Sequence, residues 1–132
     1  MILVLLGTQD KPFLRLLKMV SKEIDKGNIK EKVVAQTGYT AFSDKNMESF
    51  DFKNKEEIEK LIDKARIIIT HAGVGTITEC LEKGKKIIVV PRLKKYLEHT
   101  NDHQMQITKE FEMKGYVIAL YDKSRLSAAL EK

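Results

Sequence analysis

Apolar residues in this chain fall into short unbroken runs separated by longer stretches with helical spacing. Residues 2 to 6, 33 to 35, 67 to 69, 87 to 90 and 117 to 120 are continuous apolar runs rather than alternating ones. Such runs predict strands buried on both faces of a parallel sheet. The expected strands are 2–6 ending at Gly7, 33–36, 67–70, 86–90 ending at Pro91, and 116–120; Ser49-Phe50-Asp51-Phe52 alternates and predicts a further short one. Between them, Phe13, Leu14, Leu16, Leu17, Val20 and Ile24 keep a helical period, with Pro12 set to open that helix and Gly27 to stop it. Asn54 with Glu57 predicts the start of a second helix, whose buried stripe is Ile58, Leu61, Ile62 and Ala65. A third helix follows Thr76 and ends at Gly84, a fourth runs from about Asp102 to Lys114 before Gly115, and Ser124 is expected to cap a terminal one. Residues 40–48 have no period and predict an irregular excursion beside the site. Strands alternating with helices, without hairpin signals, predict an α/β class: one Rossmann-like domain over 1–132, a mostly parallel sheet of about six strands, helices on both faces.

Composition narrows the partners. The 132 residues carry 24 Lys and Arg against 19 Asp and Glu, a net +5. That excess suits an anionic ligand or an acidic surface, and its even spread gives no case for nucleic acid. Cys80 is the single cysteine, which excludes an internal disulfide and suits a reducing cytoplasm. No window approaches the roughly 20 apolar residues of a membrane span. The opening run lacks the basic lead of a signal peptide. A cytoplasmic protein is expected, with any membrane attachment supplied by a surface patch or a partner.

In such a fold ligands bind outside the carboxyl ends of the strands, so the chemistry is sought in the loops Gly7 to Lys11, Gln36 to Tyr39, His71 to Thr76 and Arg92 to Gln104. His71-Ala72-Gly73-Val74-Gly75-Thr76-Ile77-Thr78-Glu79 is the most informative string. A buried strand delivers its end into a glycine turn and a helix start, where free N–H groups and the positive helix end favour a phosphate. Thr76 is placed either to cap the helix or to bond a phosphate oxygen. His71 is either a phosphate donor or a satisfied structural imidazole. Glu79, about one turn in, either accepts hydrogen bonds from a ribose diol or simply favours the helix dipole. The string lacks the third glycine of a dinucleotide fingerprint, and no Gly-Lys-Ser/Thr phosphate loop is present. His99 and His103 are four apart without a supporting carboxylate pattern, so no metal and no cofactor are expected. The second informative string is Glu98-His99-Thr100-Asn101-Asp102-His103-Gln104, in which Asp102 and Gln104 offer acceptors and donors for sugar hydroxyls, or Asp102 is merely a cap.

Those two strings, with Val89-Val90-Pro91-Arg92 between them, resemble the donor-binding half of GT-B glycosyltransferases, and most closely the family 28 C-terminal domain. Within that family the chain resembles the small catalytic subunits of two-part transferases, both dolichol-linked N-acetylglucosaminyltransferases and bacterial capsule or exopolysaccharide β-1,4-glycosyltransferases. The resemblance implies roles residue by residue. Gly7, Thr8 and Gln9 would face the diphosphate and cleft, and Gln36, Thr37 and Gly38 the strand-end turn beside the nucleotide. The backbone of Phe52 would meet the uracil. His71, Gly73, Gly75 and Thr76 would form the diphosphate turn and Glu79 the ribose contact, with Asp102 and Gln104 on the donor sugar.

A complete GT-B enzyme has two Rossmann-like domains, and the resemblance covers one. It therefore implies a membrane-anchored partner subunit that supplies the acceptor-binding half, a lipid-linked glycan acceptor, and recruitment to the cytoplasmic face of the membrane. A homodimer in the partner's absence is a further expectation. The reaction implied is inverting transfer of a hexose or N-acetylhexosamine from a UDP-sugar, with the partner supplying the base ahead of His71 or Asp102. A non-catalytic nucleotide-sugar-binding module is the alternative, and a dinucleotide redox domain a weaker one. Arg92, Lys94 and Lys95 with Tyr96 and Leu97 read as a basic loop: solvated, or a contact for the partner or for anionic lipid.

Overall fold

The computed structural model describes residues 1–121 and 126–131. Its elements run β1 (Ile2–Leu5), α1 (Leu14–Asp25), β2 (Val33–Gln36), β3 (Glu48–Phe50), α2 (Lys55–Lys64), β4 (Ile67–Thr70), α3 (Val74–Glu82), β5 (Lys86–Val89), a 3-10 turn (Lys94–Tyr96), α4 (His103–Met113), β6 (Ile118–Ala119) and α5 (Leu126–Glu131). The strands lie in the order β3-β2-β1-β4-β5-β6, with every pairing parallel.

The continuous apolar runs exist because both faces of this sheet are covered. Ile2, Val4, Leu6, Val33, Ala35, Ile67, Ile69, Ile88 and Val90 pack on one face with Leu16, Leu17 and Val20 of α1 and Leu126 and Ala129 of α5. Leu3, Leu5, Val34, Ile68, Ile87 and Val89 alternate onto the other, against Ile62 of α2 and Ile77 and Cys80 of α3, with Ile107 and Phe111 of α4 alongside. Period-2 alternation thus sorts one apolar run into two cores. Asn54 caps α2 as its sequence predicts: its side chain accepts the Glu57 N–H at 2.8 Å.

Several boundaries differ from expectation, each for a local reason. Helix α1 begins at Leu14 rather than at Pro12, and the Phe13 N–H just before it goes to Thr40 Oγ1 at 3.0 Å. Strand β3 stops at Phe50, two residues early, because the Phe52 N–H turns to the Asp51 carboxylate at 2.6 Å. Strand β6, at the sheet edge with β5 as its neighbour, shrinks to Ile118–Ala119. Residues 40–47 are irregular as expected, with Glu48 already in β3, but the excursion packs against α1 rather than beside the site. Asn46 Nδ2 donates to Asp25 of α1 at 2.8 Å, and Phe42 and Met47 join the α1-side core. The expected cap Ser124 lies outside the described residues.

Candidate functional site

The strand order reverses direction at β1 and β4, which opens a crevice outside their carboxyl ends. The register sets Leu5 beside Gln36 and Thr70, so the turns after β1, β2 and β4 leave the sheet together.

The turn after β1 is held from the side by Gln36. Its Oε1 accepts the N–H groups of Leu6 and Gly7, both at 3.1 Å, and its Nε2 donates to the carbonyls of Gly7 at 3.0 Å and Asp51 at 3.2 Å. Thr37 is equally committed, its N–H and its hydroxyl both donating to the Phe50 carbonyl. Of the Gln36-Thr37-Gly38 turn, only Gln36 lines the nearby cavity.

His71 sits where this turn meets the one after β4. His71 is 5% exposed. A Cβ on Gly7 would lie 2.3 Å from its Nε2, and one on Gly73 would lie 2.6 Å from its Cε1. Glycine at both positions is therefore demanded by the imidazole between them, and Gly7 needs it twice, since its φ is +79°. Burial first, then the charge of Arg92 and the nearby His99, push the His71 pKa down to about 3. The ring is neutral at physiological pH.

Helix α3 opens at Gly73 without a side-chain cap, and its first bond is Ile77 N–H to the Gly73 carbonyl at 3.0 Å. Thr76 lies within the first turn, so the alternative in which it caps the helix does not hold. The N–H groups of Val74, Gly75 and Thr76 have no partner among the described residues. The space a Cβ would take at Gly75 is open. Beside this helix end lies a cavity of about 150 Å³ lined by Gly7, Thr8, Gln36, Phe52, Thr76 and Glu79, floored by Leu5 with Ile58 and Ile62 of α2. Glu79 Oε1 is a buried acceptor with no partner, a state that costs about 1–3 kcal/mol unless something fills it. Phe52, 43% exposed, stands edge-on to Tyr39 with ring centroids 5.1 Å apart. Of its backbone groups, the N–H is taken by the Asp51 carboxylate. Gln9 follows in the same loop but does not line the cavity. Lys53, Ile58 and Ile62 also line it, the two isoleucines read from the sequence only as a helix stripe and Lys53 not singled out there.

Asp102 and Gln104 are brought close to this turn by the start of α4, with different surroundings. Asp102 is exposed and accepts the Lys94 N–H at 2.9 Å. Gln104 is 3% exposed, its amide engaged with Ala72, Arg92 and His71. Arg92 corrects the reading of a basic loop, because it does not face solvent with Lys94 and Lys95. It is 1% exposed and donates to the carbonyls of Lys11 at 2.7 Å, Leu6 at 2.7 Å and Glu98 at 3.0 Å, with its guanidinium 4.9 Å from the Phe13 ring centroid. Burial lowers its pKa to about 10, which leaves it charged at neutral pH. Glu98, also buried, accepts from Arg15 Nε and Nη2 at 3.0 and 2.9 Å. What remains of the basic loop is Lys94, Lys95 and the exposed tip, Tyr96 at 45% and Leu97 at 78%. Cys80 is fully buried, and burial raises its thiol pKa to about 12, so it is an inert packing group.

A parallel sheet of this order, with a helix N-terminus and an unsatisfied carboxylate at its switch point, is the architecture of one half of a GT-B glycosyltransferase. The chain aligns with the glycotransferase of kitacinnamycin over 98% of its own length and 32% of that chain, with a TM-score of 0.69 at 18% identity. It aligns with the solution structure of ALG13 over 98% of its length and 81% of that chain, with a TM-score of 0.60 at 21% identity. The chain belongs to the glycosyltransferase family 28 C-terminal domain, whose pattern matches residues 1–132. Among curated relatives, it is 35% identical over 66 residues to the UDP-N-acetylglucosamine transferase subunit ALG13 of Homo sapiens. That alignment takes in 50% of this chain and 6% of the human protein, so the chain spans a small part of that relative's length.

Proposed function

We propose that this chain is the donor-binding, catalytic subunit of a two-component inverting glycosyltransferase that uses a UDP-sugar and acts on a lipid-linked glycan acceptor. The observation that carries the reading is the partnerless Glu79 carboxylate in a cavity beside the open end of α3. A uridine diphosphate has what these groups lack: hydroxyls for Glu79 and anionic oxygens for the N–H groups of Val74, Gly75 and Thr76. The uracil would lie toward Phe52, the diphosphate over Gly75 between the two glycine turns, and the sugar toward Asp102 and the start of α4. As the bond from the anomeric carbon to the diphosphate breaks, charge develops on the leaving oxygen. The helix end is already oriented to stabilise it, and no metal is called for in this scheme.

The acceptor hydroxyl needs a base. His71 is a poor one, since its pKa lies near 3. Asp102 is exposed and remains a candidate, but a group from the partner subunit fits the reading better. The word subunit in the human relative's name supports a partner, and UDP-N-acetylglucosamine in the same name favours an N-acetylhexosamine donor. No helix among the described residues is long and apolar enough to cross a membrane. In this reading a membrane-anchored partner at the cytoplasmic face brings the chain to a lipid-linked acceptor. The tip Tyr96–Leu97 with Lys94 and Lys95 is the surface proposed for that contact.

The test is reconstitution. The purified chain should transfer little sugar from UDP-N-acetylglucosamine to a lipid-linked acceptor alone and gain activity when the partner is added in vesicles. Full activity from the chain alone would overturn the split-enzyme reading. Tight UDP binding with no transfer under any partner condition would favour the non-catalytic module.

A further inference from the structure

The contacts of Gln104 determine which way round its amide lies. Oε1 is 3.1 Å from the Ala72 nitrogen and 3.0 Å from the Arg92 nitrogen, both backbone N–H groups that can only donate. The atom facing them is therefore the carbonyl oxygen. The other end, Nε2, lies 3.2 Å from His71 Nδ1, and an amide nitrogen can only donate. His71 Nδ1 must then accept, which places the proton of the neutral ring on Nε2. Nε2 makes no hydrogen bond among the described residues, and it lies 2.3 Å from where Gly7 lacks a Cβ and 2.8 Å from where Gly73 lacks one. The Nε2–H edge thus lies where the turn after β1 meets the free end of α3.

We propose that Gln104 is a positioning residue: it fixes His71 as the Nε2–H tautomer and aims that proton at the diphosphate of the bound nucleotide. The second half of this statement rests on the donor-site reading above. One amide does two jobs at once. Its oxygen ties the turn after β4 to the chain leaving β5, and its nitrogen selects the tautomer of the ring between them. The charged and titratable groups that face the ring are Arg92 and His99, and both act with burial to keep it neutral. Held this way, His71 is a neutral donor and cannot take the acceptor's proton at Nε2.

A merely structural clamp would leave the ring's protonation pattern indifferent to the chemistry at position 104, which makes Gln104→Glu the informative variant. A carboxylate still accepts from Ala72 and Arg92 with one oxygen, but its other oxygen requires a proton on Nδ1. Long-range proton–nitrogen correlation on 15N-labelled protein reads the two ring nitrogens directly. The wild type should show a protonated Nε2 and bare Nδ1 at neutral pH. Gln104→Glu should protonate Nδ1 and move the ring's titration upward. Addition of UDP should shift the wild-type Nε2 signal, and Gln104→Leu should weaken UDP binding about tenfold, the value of one hydrogen bond to a charged group. A wild-type Nδ1–H tautomer, or an unchanged ring in Gln104→Glu, overturns the positioning role; if that variant does not fold, the wild-type tautomer still decides. UDP that binds without moving the Nε2 signal overturns the phosphate contact. No UDP binding at all, with the expected tautomer present, overturns the donor-site reading and with it the aim of the proton, not its position on Nε2.

Discussion

Arg92 and Glu79 both bring charge into the carboxyl end of the same sheet, yet the protein treats them in opposite ways. Around Arg92 most of the polar valences are met within the protein, by three backbone carbonyls, the Phe13 ring and the neighbouring Arg15–Glu98 pair, and only Arg92 Nε and Arg15 Nη1 are left over. Around Glu79 they stay open, with a buried carboxylate oxygen and the first-turn N–H groups of α3 unpartnered at the edge of a cavity. Buried polar groups are costly unless paired. A network with most of its bonds made inside the protein is therefore a device of stability, whereas a carboxylate with none, at the edge of a cavity beside free N–H groups, is the candidate for completion by a ligand. The contrast separates scaffold from site better than residue type does, since arginine is the more familiar binder of phosphates.

The comparison can be broken from either side. The largest effect is expected at the Arg92 network. Arg92→Leu strands three buried carbonyls and should lower the unfolding free energy in urea by about 3–5 kcal/mol. A loss below 1 kcal/mol would show that water takes over those carbonyls. Next comes Gly7→Ala, which forces a left-handed residue and drives a methyl into His71, at about 2–4 kcal/mol of stability. Retained stability there would mean the ring moves aside readily.

Glu79→Ala should behave in the reverse manner to Arg92→Leu. Stability should stay within about 0.5 kcal/mol of wild type, because an unpaired acceptor is removed, while UDP affinity falls by about 1–3 kcal/mol. A stability loss with unchanged affinity would place Glu79 among the scaffold residues and erase the contrast. Acidification probes the buried ring beside the site. The His71 pKa is depressed from 6.5 to about 3, so between those values the unfolded chain binds the extra proton and stability falls as pH drops. His99 is depressed too and adds to the slope, whereas Glu31, lowered to about 2 by its hydrogen bond to Arg66, loses its contribution only as pH falls below about 4.5. His71→Asn should flatten the slope between pH 6.5 and 4.5, as followed by thermal unfolding; an unaltered slope would assign it elsewhere.

Most of the architecture could be read in advance, because double-sided burial writes itself into continuous apolar runs such as Ile67–Ile69, and helix starts such as Asn54–Glu57 carry their own capping chemistry. The turn at His71 and the place of Glu79 one helical turn beyond it were legible for the same local reason: strand, glycine turn and helix follow one another without interruption. What could not be read was anything set by pairs far apart in sequence. Arg92 looks like a member of a basic loop until Leu6 and Lys11 supply its acceptors. Gly73 suggests close approach to a ligand, whereas the nearest atom it makes room for is in His71. Gln104 has the chemistry of a sugar ligand, and only the fold reveals its bonds to Ala72 and Arg92.

The central claim is that the open valences around Glu79 and the start of α3 are completed by a uridine diphosphate. Isothermal titration of the folded chain with UDP tests it most directly, with Glu79→Ala as the paired sample. The account predicts one-site binding by the wild type and a clear loss of affinity in the variant, with both proteins unfolding at the same urea concentration. No heat of binding at millimolar UDP, or equal affinity in both proteins, would contradict it.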